Sequence, residues 1–221
     1  MCPPDCDKRR GIFNCLPLEA FLAVFIILIA SLSFHEAAHA WTANRLGDPT
    51  ARLLGRLTLN PLAHIDWIGT VLFPVLAWLS GVPLIGWAKP VPVNMRNLKA
   101  PRRDFAIVAV AGPLSNVVLA LGAAVLLKAQ GGIVPDDGQT FLTVILVRAV
   151  VMNVMLAVFN LLPIPPLDGG NVLAGFVPEG AARLIDQMRP YGFILLYALL
   201  LLGVLDRFVF PIAEFFASWL L

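Results

Sequence analysis

His35, Glu36 and His39 form a His-Glu-x-x-His pentad, HEAAH, inside the long apolar run Leu18 to Trp41. On a helix, residues four apart stand one turn above each other, so this spacing predicts two imidazoles that face one point and can share a metal ion. Catalytic zinc takes three protein ligands and keeps a position open for water. A third ligand must therefore come from elsewhere, and the chain offers few candidates: one other histidine, His64, and a handful of carboxylates near apolar segments. Asp168, in NLLPIPPLDGG, stands out because it follows an apolar span directly, between prolines and glycines that end a helix and let the backbone turn into a bundle. The same Pro-Pro-Leu-Asp-Gly-Gly stretch also suits an aspartate that simply caps a turn.

Glu36 has no obvious Lys or Arg partner on its helix face, and an ionisable group within an apolar span is costly enough to be a functional candidate by default. Beside a metal, its expected role is general acid/base. Zinc lowers the pKa of water towards ~7, a carboxylate in reach takes the proton, the resulting hydroxide attacks a peptide carbonyl, and the same carboxyl protonates the departing amine. A solvated His and Glu at an interfacial helix end is the bland alternative, and the apolar surroundings speak against it.

The elements that must position these groups are apolar. Of 221 residues, 59% are hydrophobic and 14% charged, far from the soluble balance of about 25% charged, so an integral membrane protein is expected. Five or six apolar segments leave no length for a separate soluble domain. The expected fold class is an all-α polytopic transmembrane bundle, divided into an N-terminal tail (1–17), a membrane core (18–206) and a C-terminal apolar segment (207–221). A net charge of +2, without a basic stripe interleaved with aromatics, excludes nucleic acid as partner. Cys2, Cys6 and Cys15 are three in number and all precede the first span; they read as tail thiols, with a tail disulfide as the other option. The first apolar run is too long for a signal peptide and holds the pentad, so it reads as a retained helix.

A spanning helix needs about 20 apolar residues. Leu18 to Leu46, Phe105 to Leu127, Phe141 to Leu162 and Tyr191 to Leu205 are the candidate spans. Phe208 to Leu221 could span, lie at the interface or pack on the bundle. Ile68 to Trp87 is apolar but broken by Pro74, Gly81, Pro83 and Gly86, which suits a re-entrant segment as well as a span. From Arg45 to Asp104 there are eight basic residues against three acidic ones. If the segment is re-entrant, all eight lie on one side, which the positive-inside rule assigns to the cytoplasm, together with Pro163 to Gly170. The loop Gln130 to Gln139 is then external, and Lys8, Arg9 and Arg10 conflict with the rule. Asp48 to Leu59 (DPTARLLGRLTL) and Val91 to Val93 read as short strands at the membrane surface.

HEAAHA in the first span, AGPLSN (Ala111 to Asn116) in the second and NLLPIPPLDGG (Asn160 to Gly170) at the end of the third together resemble the site-2 protease family of intramembrane zinc metalloproteases, peptidase family M50, in motif and in order. The resemblance covers roughly Leu18 to Gly175, without an added PDZ or CBS module, as in a minimal form. LTLNPLAHID and GWAKPVPVN also look like bacterial members, although Trp67 stands where similar sequences have Pro. The resemblance implies His35, His39 and Asp168 as zinc ligands and Glu36 as catalytic acid/base. It suggests Asn160 as an oxyanion donor or substrate-orienting amide, with bridging of backbone freed by the prolines as an equal reading. It also implies that Gly112, Pro113 and Asn116 shape the cleft, tight helix packing being the equal alternative. His64 is expected to be a loop histidine, and Arg148 to snorkel outward near the external end of its span.

The substrate implied is the transmembrane segment of another membrane protein in the lipid bilayer of a bacterial cell membrane, cleaved towards the cytoplasmic side. Such a helix must unwind before its carbonyls are accessible, and the stretch Arg52 to Leu59 is expected to offer it a strand edge. Water would need a polar passage from the same side. Two other classes compete: a non-catalytic scaffold, which Glu36 argues against, and a metal transporter, which would spread its ligands along a path.

Overall fold

The computed structural model describes residues 17–80, 86–133 and 140–221. The three cysteines, Lys8 to Arg10 and the acidic pair Asp136 and Asp137 lie outside them. Helix α1 (Leu18–Arg45) is followed by a single turn, α2 (Thr50–Leu53), and by α3 (Phe73–Ser80), which a π-helical turn over Trp67–Leu72 leads into. Then come α4 (Pro101–Ala129), α5 (Phe141–Asn160), α6 (Asp168–Phe176), α7 (Glu179–Met188), α8 (Gly192–Leu201) and α9 (Phe210–Leu220). Four helical stretches, α1, α4, α5 and the run from Glu179 to Leu201, are long and apolar enough to cross a membrane. The fold is an all-α membrane bundle.

Lipid tails are as apolar as leucine, so helices in a bilayer associate through close packing of small residues. Ala120, Ala123 and Ala124 of α4 meet Leu146, Val150 and Val154 of α5, and Ala213 and Ala217 of α9 close the cluster. The C-terminal apolar segment therefore packs on the bundle. Ile26, Val118, Val125 and Leu201 project outward from the spanning helices, where lipid would cover them. Arg148 Nη1 donates to the carbonyl of Ala20 at 2.9 Å, so its side chain reaches the first turn of α1 and ties α5 to it.

The segment Ile68 to Trp87 starts and finishes at one place. The N–H of Trp87 donates to Gly69 O at 3.3 Å, Thr70 Oγ1 donates to Trp87 O at 2.8 Å, and the Trp87 indole lies over Gly69 where a Cβ would collide with it. Between these ends α3 runs along the bundle until Trp78 stacks on Phe21, near the other end of α1, with ring centroids 4.7 Å apart. Residues 81–85 lie outside the described residues, but the two described ends meet on the pentad's side of the bundle, as the ends of a re-entrant hairpin do. The basic residues from Arg45 to Arg103 consequently share one end.

The expected short strands are not formed; no strand occurs among the described residues. Over Asp48 to Leu59, Thr50 to Leu53 is helical instead. The Asp48 carboxylate accepts from the N–H and hydroxyl of Thr50, an arrangement that starts a helical turn and overrides the weak alternation, and Gly55 at φ 69° ends it. Val91 to Val93 stays outside any ladder because Pro90 and Pro92 have no N–H to give, while the N–H of Val91 is taken by the Glu36 side chain.

Candidate metal centre

The pentad lies in the C-terminal half of α1, about 15 Å of helix from its Arg45 end at 1.5 Å per residue. It faces α4, and the Gly112 of α4 is what permits the approach: a Cβ there would fall within 2.6 Å of His35 Nε2 and closer still to the His39 ring. The small-residue stretch AGPLSN thus makes room for two imidazoles as well as for a neighbouring helix. Each ring is oriented from behind. His39 Nδ1 donates to the carbonyl of Val108 at 2.7 Å, and His35 Nδ1 donates to Asn116 Oδ1 at 2.6 Å. With both Nδ1 atoms protonated, both Nε2 lone pairs point into the site.

Asp168 arrives from a separate element. The chain turns back after α5 through the proline cluster, and Gly169 and Gly170 make the turn possible: a Cβ on Gly169 would strike the carbonyls of Leu161 and Leu162, and one on Gly170 would lie 2.8 Å from Pro165 N. Asp168 opens α6, which packs on α4 with Gly175 against Ala106. Its Oδ2 stands 3.0 Å from His35 Nε2 and 3.3 Å from His39 Nε2, and the three atoms all lie within 4.8 Å of one another.

Those three atoms are all acceptors when the Nδ1 atoms carry the hydrogens, and Asp168 Oδ2 is buried without a hydrogen-bond donor. Two neutral imidazole nitrogens and a carboxylate oxygen, converging with nothing to share between them, are a nitrogen- and oxygen-rich donor set of the kind zinc takes. The residues present therefore fit a zinc ion held by His35, His39 and Asp168.

Glu36 is adjacent and nearly buried, and its Oε2 accepts from the N–H of Val91 at 3.0 Å. One oxygen of the carboxylate is thereby fixed. The strip Trp87 to Asn94 that supplies this N–H forms one side of a cavity of about 550 Å³, into which His35, Glu36, His39, Asn160 and Asp168 all face. Arg56 holds the strip, donating to the carbonyls of Lys89 (2.8 Å), Pro90 (3.0 Å) and Ala63. Asp48, fully buried, accepts from Asn94 N (2.7 Å) and Asn97 Nδ2 (2.8 Å). A second cavity of about 190 Å³, with Arg102, Glu179 and Asp186 in its wall, shares Phe105, Asn171 and Arg189 with the first and gives the site a polar neighbour at this end of the bundle.

Asn160 borders the cavity, but its Nδ2 donates to Leu156 O at 3.0 Å, one turn back in its own helix. His64 is apart from the centre: it is buried in the loop after α2, its Nε2 donating to Thr58 O at 2.8 Å and its carbonyl accepting from Lys89. The sequence had no means of revealing Val108 and Val91, which act through backbone groups. Arg56 carried one usable signal, a lone basic residue among leucines with no acidic neighbour.

Comparison with known proteins bears on this geometry. The family described as Peptidase family M50 matches residues 133–203, the part that carries Asp168. Three proteins named "Putative zinc metalloprotease" align over most of the chain. YwhC of Bacillus subtilis (strain 168) is 40% identical over 186 residues, 83% of this chain and 82% of its own. Rip2 of Mycolicibacterium smegmatis is 34% identical over 205 residues, 89% of this chain and 75% of its own. Rip2 of Mycobacterium tuberculosis (strain H37Rv) is 31% identical over 198 residues, 87% and 73% respectively. No solved structure matches.

Proposed function

The chain belongs to peptidase family M50, and from that premise we propose that it is an intramembrane zinc metalloprotease that hydrolyses peptide bonds within or near the transmembrane segments of other membrane proteins. The observation that carries the reading is the convergence of His35 Nε2, His39 Nε2 and Asp168 Oδ2 beside Glu36, in a cavity walled by apolar helices. Zinc bound there supplies an electrophilic centre that acidifies water and polarises a carbonyl. His35 and His39 orient their free nitrogens from bonds behind them, and Asp168 contributes the charge that offsets the metal. Glu36, with one oxygen held by Val91 N–H, keeps the other for the proton it takes from water and returns to the departing amine.

Asn160 is the candidate for steadying the substrate carbonyl. To do so its amide must leave Leu156 O, or donate its second hydrogen while keeping that bond. The strip from Trp87 to Asn94 replaces Arg52 to Leu59 as the platform for an unwound substrate, because it borders the site and its prolines keep it out of any ladder of its own. The basic residues gathered at this end support a cytoplasmic-side active centre in the cell membrane. Convergence of the ligands on a single centre speaks against a transporter, whose sites follow a path.

The test is cleavage of a single-span substrate by purified protein in detergent, comparing wild type with Glu36→Gln at matched bound zinc. Loss of cleavage with zinc retained supports the protease. Undiminished cleavage by the variant refutes Glu36 as acid/base, and zinc bound with no cleavage by the wild type on a panel of substrates favours a metal-holding scaffold.

A further inference from the structure

The two histidines are oriented in different ways. Val108 O can only accept, so it dictates by itself that His39 Nδ1 carries the hydrogen and that Nε2 is bare. His35 faces an amide, and an amide can present either end. With its oxygen towards His35, Asn116 leaves His35 Nε2 free for a metal. With its nitrogen there, Asn116 would place the hydrogen on Nε2 and block it.

What decides the orientation lies one residue further out. Asn116 is fully buried in α4, and its Nδ2 donates to Asn153 Oδ1 at 3.0 Å, with Ser31 O a weaker partner at 3.5 Å. Asn153, buried in the middle of α5, in turn donates its Nδ2 to Ala149 O at 2.9 Å. The chain of bonds ends on a backbone carbonyl that cannot donate, so it has only one consistent direction: Asn153 gives to Ala149, Asn116 gives to Asn153, and His35 gives to Asn116. Reversing it would set Asn153 Oδ1 against Ala149 O and Asn116 Oδ1 against Ser31 O, two unpaired acceptor contacts at buried side chains.

We propose that Asn153 is a positioning residue for the metal centre: it fixes which end of the Asn116 amide faces His35, and so keeps His35 Nε2 available as a ligand. The proposal rests on the zinc reading above. Asn153 touches neither the ligand atoms nor the cavity, and a buried polar residue in the middle of a spanning helix is costly to keep without such a role.

An aspartate at position 116 gives the decisive test, because a carboxylate has no donor end and must accept from His35 whatever its neighbours do. Zinc affinity is measured by chelator competition on the full-length protein in detergent, for wild type, Asn153→Leu, Asn116→Asp and the double variant. Asn153→Leu is expected to weaken zinc binding by about 10- to 100-fold. In the Asn116→Asp background the same change is expected to cost less than about threefold, so that aspartate rescues the lost asparagine. An equal loss in both backgrounds would mean that Asn153 acts by packing or that the leucine variant misfolds, and would overturn the proposal. So would wild-type affinity in Asn153→Leu. Absence of zinc binding by the wild type would overturn the metal reading itself, together with the relay built on it.

Discussion

The two walls of the cleft are built on opposite principles. On one side, His35, His39 and Asp168 stand on α1 and α6, packed against α4 through Gly112 and Gly175, and their positions follow from helix geometry and the absence of side chains at the contacts. On the other side, Trp87 to Asn94 has no secondary structure among its residues, and its backbone groups are held one at a time by Thr70, Arg56, Glu36 and Asp48. The ligand wall is rigid because a cooperative element sets it. The strip is fixed by separable bonds, so it can be loosened while the elements that carry His35, His39 and Asp168 stay in place.

The largest effect that would break this contrast comes from Gly112→Ala. Its methyl group has no space beside the imidazoles, and the ring atoms that would have to move belong to His35 and His39, both held from behind by Asn116 and Val108. Zinc content of the purified variant should fall by roughly 100-fold or more in affinity, with helical content by circular dichroism unchanged. Normal zinc binding would mean that α1 and α4 can part, and that the ligand wall is not rigid.

On the strip side, Arg56→Met should behave differently. Removing the guanidinium leaves the carbonyls of Ala63, Lys89 and Pro90 without their donor, a cost of about 1–3 kcal/mol. Thermal stability and cleavage should both drop while bound zinc remains at the wild-type level. Loss of zinc in this variant would show that the two walls are coupled.

The smallest effect belongs to Asp48 and depends on pH. Burial pushes its carboxyl up, but bonds from the Thr50 and Asn97 side chains and from the N–H groups of Asn94 and Thr50 outweigh it and hold the group below the usual carboxylate range. A carboxylate depressed on folding contributes stability above its unfolded pKa of about 3.9, and that contribution is lost as pH falls through the lower folded value. Unfolding temperatures of wild type and Asp48→Asn should therefore differ at pH 7 and converge below about pH 4. A pH-independent difference would assign the effect to lost hydrogen bonds alone.

Much of this organisation was legible in the residues. The spans are long apolar runs with clear ends, and the pentad sets two imidazoles on one helix face by period alone. The residues of α7 carry a signal too: Glu179 with Arg183 and Asp186 with Arg189 are spaced as helix-surface pairs, and the structure forms both. Over the expected surface strands, alternation across a few residues is a weak signal, and local features outweigh it: Asp48 starts a turn through Thr50, and Pro90 and Pro92 have no N–H for a ladder.

The sequence by itself determined that this is a helical membrane protein with a two-histidine metal motif and a glutamate beside it, since composition and a fixed helical period need no partner to be read. Only the tertiary structure decided that Asp168 converges on the two histidines, that Gly112 leaves them room, and that Val108, Val91 and Asn116 hydrogen-bond His39, Glu36 and His35 while Asn153 accepts from Asn116. Those are close approaches between segments 37 to 133 residues apart in sequence, several through backbone atoms that every residue possesses.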